Sequence, residues 1–345
     1  MIEDVDFCSN SYLIYRMIVS DEYCFSKKAV PRLADISFNR DPVSGSDDLF
    51  NSLQNCIDYE TRGGDAALAL SGGIDSAILA KMMPEGSVAY TFRCIVPGVD
   101  VIDETPIASK IAKMCGLKHK IVNIFWDDII SSMGALMNNK GAPIHSIECQ
   151  IYKAGCAARA DGFSKFIFGE NADIIYGGMD GLLKKDWSLG EFVDRYSYVP
   201  PYFVLKKPQM IIDPFLKYYY NGVLDAFAFT NEYFRREALG TYDNACSTAG
   251  IEFVGPFSRT KMSIPIDLNR IRSGDSKYLV RELFSKLYNG YNMPDKIPMP
   301  RPTNEWLKSW TGPERKEFIP DCAIHLSGDQ KWMVFCLESF LNQIN

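Results

Sequence analysis

Ser71-Gly72-Gly73-Ile74-Asp75-Ser76 is the segment whose residue types and order point most directly to chemistry. Paired glycines let a backbone approach a ligand closely, and the hydroxyls of Ser71 and Ser76 add hydrogen-bond donors. An apolar run from Ala66 to Leu70 precedes the loop, and a helical pattern from Ala77 to Met83 follows it. A loop between a buried strand and a helix lies at the carboxyl end of that strand, where open α/β sheets bind ligands. The start of the helix offers unpaired N–H groups and the positive end of its dipole, which suits phosphate. Asp75 is the informative member. A carboxylate facing a phosphate repels it unless a cation lies between them, so Asp75 predicts Mg²⁺. The loop has no Walker A lysine and is not G-x-G-x-x-G. Taken alone it also fits a capped turn, with Asp75 or Ser76 as the helix cap.

The elements around the loop alternate. Val88 to Val96, Lys118 to Ile124 and Phe166 to Phe168 read as strands, while Glu104 to Cys115 and Ile147 to Arg159 carry helical spacing. Repeated strand–helix–strand units predict an α/β fold, a parallel sheet with helices on both faces. After residue 190 the pattern turns aromatic-rich and mainly helical, with Lys277 to Tyr288 and Trp332 to Gln343 the clearest helices. Near the start, Tyr12 to Val19 reads as a strand, and Ser46 or Asp47 caps a helix with Leu49, Phe50, Leu53 and Ile57 on one face. The expected organisation is a short extension over residues 1–45 that includes this strand pattern, a nucleotide-binding core over 46–190 and a mainly helical part over 191–345.

Composition narrows the function classes. The 345 residues carry 37 Lys and Arg against 43 Asp and Glu, a net charge of −6, which argues against dispersed nucleic-acid binding. No apolar run approaches the ~20 residues that span a bilayer, so no membrane partner is expected. The first residues are acidic, unlike a secretory signal, and the ten cysteines contain no Cys-x-x-Cys pair. Reduced, mostly buried thiols and a cytoplasmic location are the expectation. Three histidines, His119, His145 and His325, fit neither a metal site nor a triad by spacing. His145 could face an acceptor, but a packed or surface histidine is the plainer reading.

The loop resembles the pyrophosphate loop of the ATP pyrophosphatase superfamily, and further segments resemble the synthetase domain of asparagine synthetases. Gly169-Glu170-Asn171-Ala172-Asp173-Ile174-Ile175-Tyr176-Gly177-Gly178-Met179 is similar to their G-E-G-A-D-E-L-F-G-G-Y segment. The related β-lactam synthetases have Tyr at the Glu170 position. Asp103-Glu104 resembles a family D-E pair, Lys277 to Glu282 resembles K-x-L-x-R-E, and Lys296 to Pro302 before Trp306 resembles K-x-G-F-P-x-P-x-x-x-W. The resemblance spans roughly residues 45–310. It implies an adenine nucleotide alpha-hydrolase-like fold and ATP with Mg²⁺ as cofactors. The nucleotide would be held by Leu70, Ser71, Gly72, Gly73, Asp75, Ser76 and Gly169. Asp75 and Asp173 would hold the metal from the ends of neighbouring strands. Glu170 matches the proposed base, and Lys296 matches a lysine that stabilises developing charge. Lys277 and Arg281, one helical turn apart, read as a structural face.

Several departures bear on the substrate. Only 70 residues precede the loop, so the resemblance implies no N-terminal glutaminase domain. Nitrogen is then expected from ammonia, from an amine, or from a separate glutaminase subunit. Asn171 replaces a family glycine, which Asn can do because it tolerates left-handed geometry. Ile174 replaces an acid, Pro256-Phe257-Ser258-Arg259 replaces P-F-L-D, and Pro294 stands where the family has Arg. The leading expectation is an AMP-forming ligase that adenylylates a small-molecule carboxylate and transfers it to ammonia or an amine. Alternatives are a sulfur transferase acting on RNA or a cofactor, with Cys94 and Cys115 as candidate thiols, and a non-catalytic nucleotide-binding subunit.

Overall fold

The computed structural model describes residues 1–291 and 299–344. Its first helix, α1 (Val5–Tyr15), is capped by the Asp4 carboxylate, which accepts the Phe7 N–H at 2.8 Å. The reading of Tyr12 to Val19 as a strand is therefore corrected. Residues from Cys8 to Tyr15 are buried on every side of the helix, so no apolar stripe marks it in the sequence. Short parallel pairings join Ile2–Glu3 to Tyr23–Cys24 and Asp41–Val43 to Thr260–Met262.

Helix α2 (Ser46–Glu60) starts after Gly45 rather than from a capping side chain, and it buries Leu49, Leu53 and Ile57 as the spacing predicts. Then come β1 (Ala66–Ala69), α3 (Ile74–Met82), β2 (Val88–Cys94), α4 (Thr105–Met114) and β3 (Lys118–Ile124). Helices α5 (Trp126–Lys140) and α6 (Glu148–Ala160) lead to β4 (Lys165–Ile167) and the one-turn α7 (Ala172–Ile175). An aromatic, mostly helical region follows. The chain then returns through α8 (Arg235–Thr248) to β5 (Glu252–Val254), and α9 (Tyr278–Leu287) and α10 (Gly328–Ile344) complete it. Sequence patterning alone does not reveal α5 or β5.

Among the described residues the main sheet has five parallel strands in the order β5-β4-β1-β2-β3. Side chains alternate across it, as a pleated strand requires. Ala66 and Leu68 face a core shared with α2, α3, α4 and α9, while Ala67 and Ala69 face one shared with α1, α5, α6, α8 and α10. A third apolar cluster packs Phe192, Tyr196, Phe215 and Phe229 against Ile14 and Tyr15 from α1. The chain leaves β1 toward β2 and β3, then crosses back to β4 on the other side of β1. This reversal opens a crevice at the carboxyl ends of β1 and β4, the place where such sheets bind ligands. No helix among the described residues is long and apolar enough to cross a membrane.

Candidate active site

A cavity of about 400 Å³ lies over that crevice. The structure brings Leu70, Ser71, Gly72, Gly73, Asp75, Ser76, Gly169, Glu170 and Asp173 together in its lining. Lys296 lies outside the described residues.

The loop is fixed by its own hydrogen bonds. Leu70 donates its N–H to the Tyr90 carbonyl at 2.8 Å and accepts the Thr91 hydroxyl at 2.6 Å. The Ser76 hydroxyl receives the Ser71 N–H at 3.1 Å and lies 2.9 Å from the Ser71 hydroxyl. Gly73, in extended conformation, starts α3 without a side-chain cap. Gly169 crosses the first turn of α3 so closely that a Cβ there would lie 2.9 Å from the Ser76 nitrogen. A glycine at 169 is thus what lets the exit of β4 meet the phosphate loop.

Asp75 and Asp173 converge on one ammonium. Lys277 Nζ lies 2.5 and 2.6 Å from the two Asp75 oxygens and 3.1 Å from Asp173 Oδ1. Burial opposes charge on Lys277, but Asp75 and Asp173 overcome it and hold the ammonium above the usual lysine range. Here the reading of Lys277 and Arg281 as a structural face is corrected. Lys277 is not on the helix. It precedes α9 in left-handed conformation, with φ of 54°, and turns its side chain into the cavity. Arg281 also lines the cavity, its Nε donating to the Ser276 carbonyl at 2.8 Å. A Cβ on Gly178 would sit 2.2 Å from Asp173 Oδ1 and 2.4 Å from Lys277 Cδ, so a bare backbone makes room for this group.

The acidic donors at this point are carboxylate oxygens, which suit a hard divalent cation. No described cluster of three or more His, Cys, Asp or Glu could hold a metal by itself. Asp75 and Asp173 therefore fit Mg²⁺ that arrives with phosphate oxygens and water to complete its shell.

Glu170 closes the other side of the cavity. Burial pushes its carboxyl up, a hydrogen bond from the Tyr242 hydroxyl counters this, and Asp173 and Glu237 add to the rise. Asn171 next to it adopts φ of 71°, the left-handed turn expected of a glycine substitute, and donates its side-chain amide to Ser258 at 2.8 Å. Glu104 stands out in the sequence only through its D-E pair. It packs under the loop, with Oε2 3.4 Å from the Gly72 nitrogen, and burial raises its carboxyl to about 7. That shift has no sequence signal, because it depends on burial. Neither candidate thiol lines the cavity: burial pushes Cys94 up to about 12, and Cys115 lies 3.1 Å from the Tyr288 hydroxyl.

Family comparison agrees with this geometry. The asparagine synthase profile matches residues 62–315. The chain belongs to the asparagine synthase family. No curated protein matches the chain. Solved structures resemble part of it. An NMN synthetase from Francisella tularensis is 15% identical, with a TM-score of 0.29 over 39% of this chain and 59% of that one. An NH3-dependent NAD synthetase from Campylobacter jejuni is 17% identical, with a TM-score of 0.27 over 39% of this chain and 61% of that one. This chain therefore spans less than two thirds of either.

Proposed function

We propose that this asparagine synthase family member is an AMP-forming carbon–nitrogen ligase that adenylylates a carboxylate and transfers the acyl group to ammonia or an amine. The observation that carries the reading is the convergence of Asp75, Asp173 and Lys277 above the phosphate loop, with the raised carboxyl of Glu170 in the same cavity.

ATP would lay its phosphates over Ser71 to Ser76, at the positive end of α3. Asp75 and Asp173 would hold Mg²⁺, which supplies positive charge against the phosphates. The acceptor carboxylate attacks the α-phosphorus, the bond to the bridging oxygen breaks, and pyrophosphate leaves. Lys277, placed as a fixed cation, favours the charge that gathers on that leaving group. The nitrogen nucleophile then attacks the acyl carbon and AMP departs. Glu170 takes the proton released by the nitrogen. A buried carboxylate is a stronger base than an exposed one, so its raised pKa serves this step. Lys296 is proposed to stabilise charge in the tetrahedral step. The nitrogen source is proposed to be free ammonia, an amine or a partner glutaminase.

The test is product analysis. Protein, Mg-ATP and a panel of carboxylic acids are incubated with and without ammonium, and the nucleotide products are separated. AMP with pyrophosphate, formed only with particular acids, is the expected result. ADP with phosphate would overturn the mechanism.

A further inference from the structure

A separate cavity of about 610 Å³ lies between residues 32–41 of the N-terminal segment, α8 and the edge strand β5. It shares no lining residue with the cavity over the phosphate loop. Phe253 lines it, while Tyr242, whose ring centre is 5.6 Å from that of Phe253, lines the other. Residues 32–41 lie outside the family-matched residues 62–315, so the match does not cover this wall.

Two arginines meet beside the cavity. Arg235 opens α8, one helical turn before the lining residue Leu239, and Arg40 sits between the lining residues Asn39 and Asp41. The turn before α8, Thr230–Phe234, is a π-helix, in which the Arg235 N–H bonds to the Thr230 carbonyl. The Asn231 carbonyl is left to accept Arg235 Nε at 3.0 Å, and the Ile36 carbonyl accepts Nη2 at 3.0 Å. Phe38, which also lines the cavity, has its ring centre 5.9 Å from Cζ. Arg235 is thus fixed and only 3% exposed, yet its Nη1 has no hydrogen-bond partner among the described residues. The buried Nε of the next residue, Arg236, has none either. Arg40 Nη1 reaches the Thr260 carbonyl no closer than 3.5 Å.

These cations lack an anion. Among the described residues no carboxylate pairs with Arg235 or Arg40. Burial, and then Arg40 and Arg236, pull Arg235 down to about 10. Glu232 opposes this, but Lys217 at 2.6 Å and the Tyr218 hydroxyl already hold it. Asp35 acts on Arg236, but it accepts the Ser37 N–H and hydroxyl at 2.8 and 2.6 Å. An unpaired buried charge is costly, and a buried donor without an acceptor calls for one. A phosphate monoester carries close to two negative charges and takes paired N–H donors from arginine. It matches two guanidiniums better than a singly charged carboxylate does.

The cavity accommodates the rest of such a ligand. Its volume is that of a small-metabolite site. Asp41 and Asp243 present acceptors for hydroxyl groups, and the Asn39 amide adds a donor and an acceptor. Phe38, Leu239 and Phe253 offer apolar surface to a carbon skeleton. Lys140 and Arg259 in the same lining are already paired with Glu148 and Glu60, so they do not compete for the phosphate. The acceptor side of the catalytic cavity is elsewhere. Glu237, two residues past Arg235 and so on another face of α8, bonds to Arg16 at 3.0 Å and acts on Glu170.

We propose that this cavity binds a sugar phosphate, with the phosphate held by Arg235 and Arg40 and the sugar hydroxyls by Asp41 and Asp243. The ligand ties residues 32–41 to α8 and β5. The site is independent of the ligase reading, because no residue of the phosphate-loop cavity takes part in it.

Calorimetry on the full chain compares glucose 1-phosphate and glucose 6-phosphate with glucose and with inorganic phosphate. At least one hexose phosphate is expected to bind wild type about tenfold tighter than either glucose or inorganic phosphate. Arg40→Gln, on the half-buried arginine, is expected to weaken that ligand about tenfold. Without ligand it should melt no lower than wild type, since the change relieves repulsion with Arg235. Asp243→Asn alters an exposed side chain and is expected to weaken the ligand about threefold, so the test stands even if Arg40→Gln fails to fold. Absence of binding by both hexose phosphates overturns the proposal. So does inorganic phosphate binding as tightly as they do, which would mean that the cavity contributes nothing. Hexose phosphate binding that neither variant weakens would place the ligand at the phosphate loop and overturn it as well.

Discussion

Lys277 grips Asp75 through both carboxylate oxygens, at 2.5 and 2.6 Å, from a position immediately before its helix. The same ammonium reaches Asp173, so one lysine neutralises part of the charge that two loops bring together. Replacing it by Met would leave two carboxylates facing each other in a half-buried crevice without that cation between them. The expected cost is about 2 kcal/mol, below the full penalty of a broken buried pair because both aspartates keep some exposure. Magnesium should recover part of this loss, because the two carboxylates then bind a divalent cation more tightly than they do with Lys277 in place. Melting temperatures of wild type and Lys277→Met with EDTA and with magnesium would show it. A variant that gains no more from magnesium than wild type would contradict the shared-site reading.

Gly169 and Gly178 make a steric prediction. A methyl at 169 would meet the Ser76 nitrogen at 2.9 Å, and one at 178 would meet Asp173 Oδ1 at 2.2 Å. Either alanine variant must displace the phosphate loop or the carboxylate pair, so each should lower turnover about 100-fold or more. Gly190, in the helix Leu189–Tyr196, has open space where a methyl would go, with nothing within 4 Å, and serves as the control. Gly190→Ala should leave turnover unchanged and stabilise the protein by about 0.5–1 kcal/mol, as alanine does in a helix. Steady-state rates and denaturant midpoints of the three variants decide the matter.

Legibility in the sequence follows how local each signal is. Asp75 and Asp173 are far apart in the chain, yet each closely follows a strand, and those strands pair with Leu68 opposite Ile167. The order strand, turn, helix therefore suffices to put both carboxylates at one end of the sheet. Lys277 escapes because helical spacing extends one residue too far. Its left-handed backbone reverses the direction that spacing assigns. Strand β5 escapes because three residues, Glu252–Val254, carry too little alternation to register. Arg16 escapes for a different reason. It lies at a helix end with no apolar stripe, and its partners His145, Tyr198 and Glu237 are brought to it only by tertiary packing.

Glu170 separates the two half-reactions. Glu170→Gln removes the base for nitrogen attack but leaves the groups that form the adenylate. Amide formation should fall about 100-fold, while acid-dependent exchange of pyrophosphate into ATP persists. The base works unprotonated, and burial raises its carboxyl, so amide formation should rise as pH rises through that elevated pKa. The Tyr242 hydroxyl lowers the same pKa by donating to the carboxylate. Tyr242→Phe should therefore move the rising limb to higher pH. Identical limbs in wild type and Tyr242→Phe would remove Tyr242 from this role.

Glu104 gives the protein a pH-dependent stability term. Its carboxyl is raised to about 7 in the folded state, chiefly by burial, from an ordinary value of 4.5. A raised carboxyl means that the folded state holds the proton more tightly than the unfolded state. Its contribution to stability is therefore complete below pH 4.5 and is lost progressively as pH climbs to about 7, after which it is flat. Glu104→Gln keeps the shape and an oxygen for the Gly72 N–H but cannot ionise. At pH 8 the variant should be more stable than wild type by about 2–3 kcal/mol, and at pH 4.5 the two should nearly coincide. Urea midpoints across this range test the sign directly. A variant less stable than wild type at pH 8 would mean that the charged carboxylate is held by the Gly72 N–H more strongly than burial opposes it.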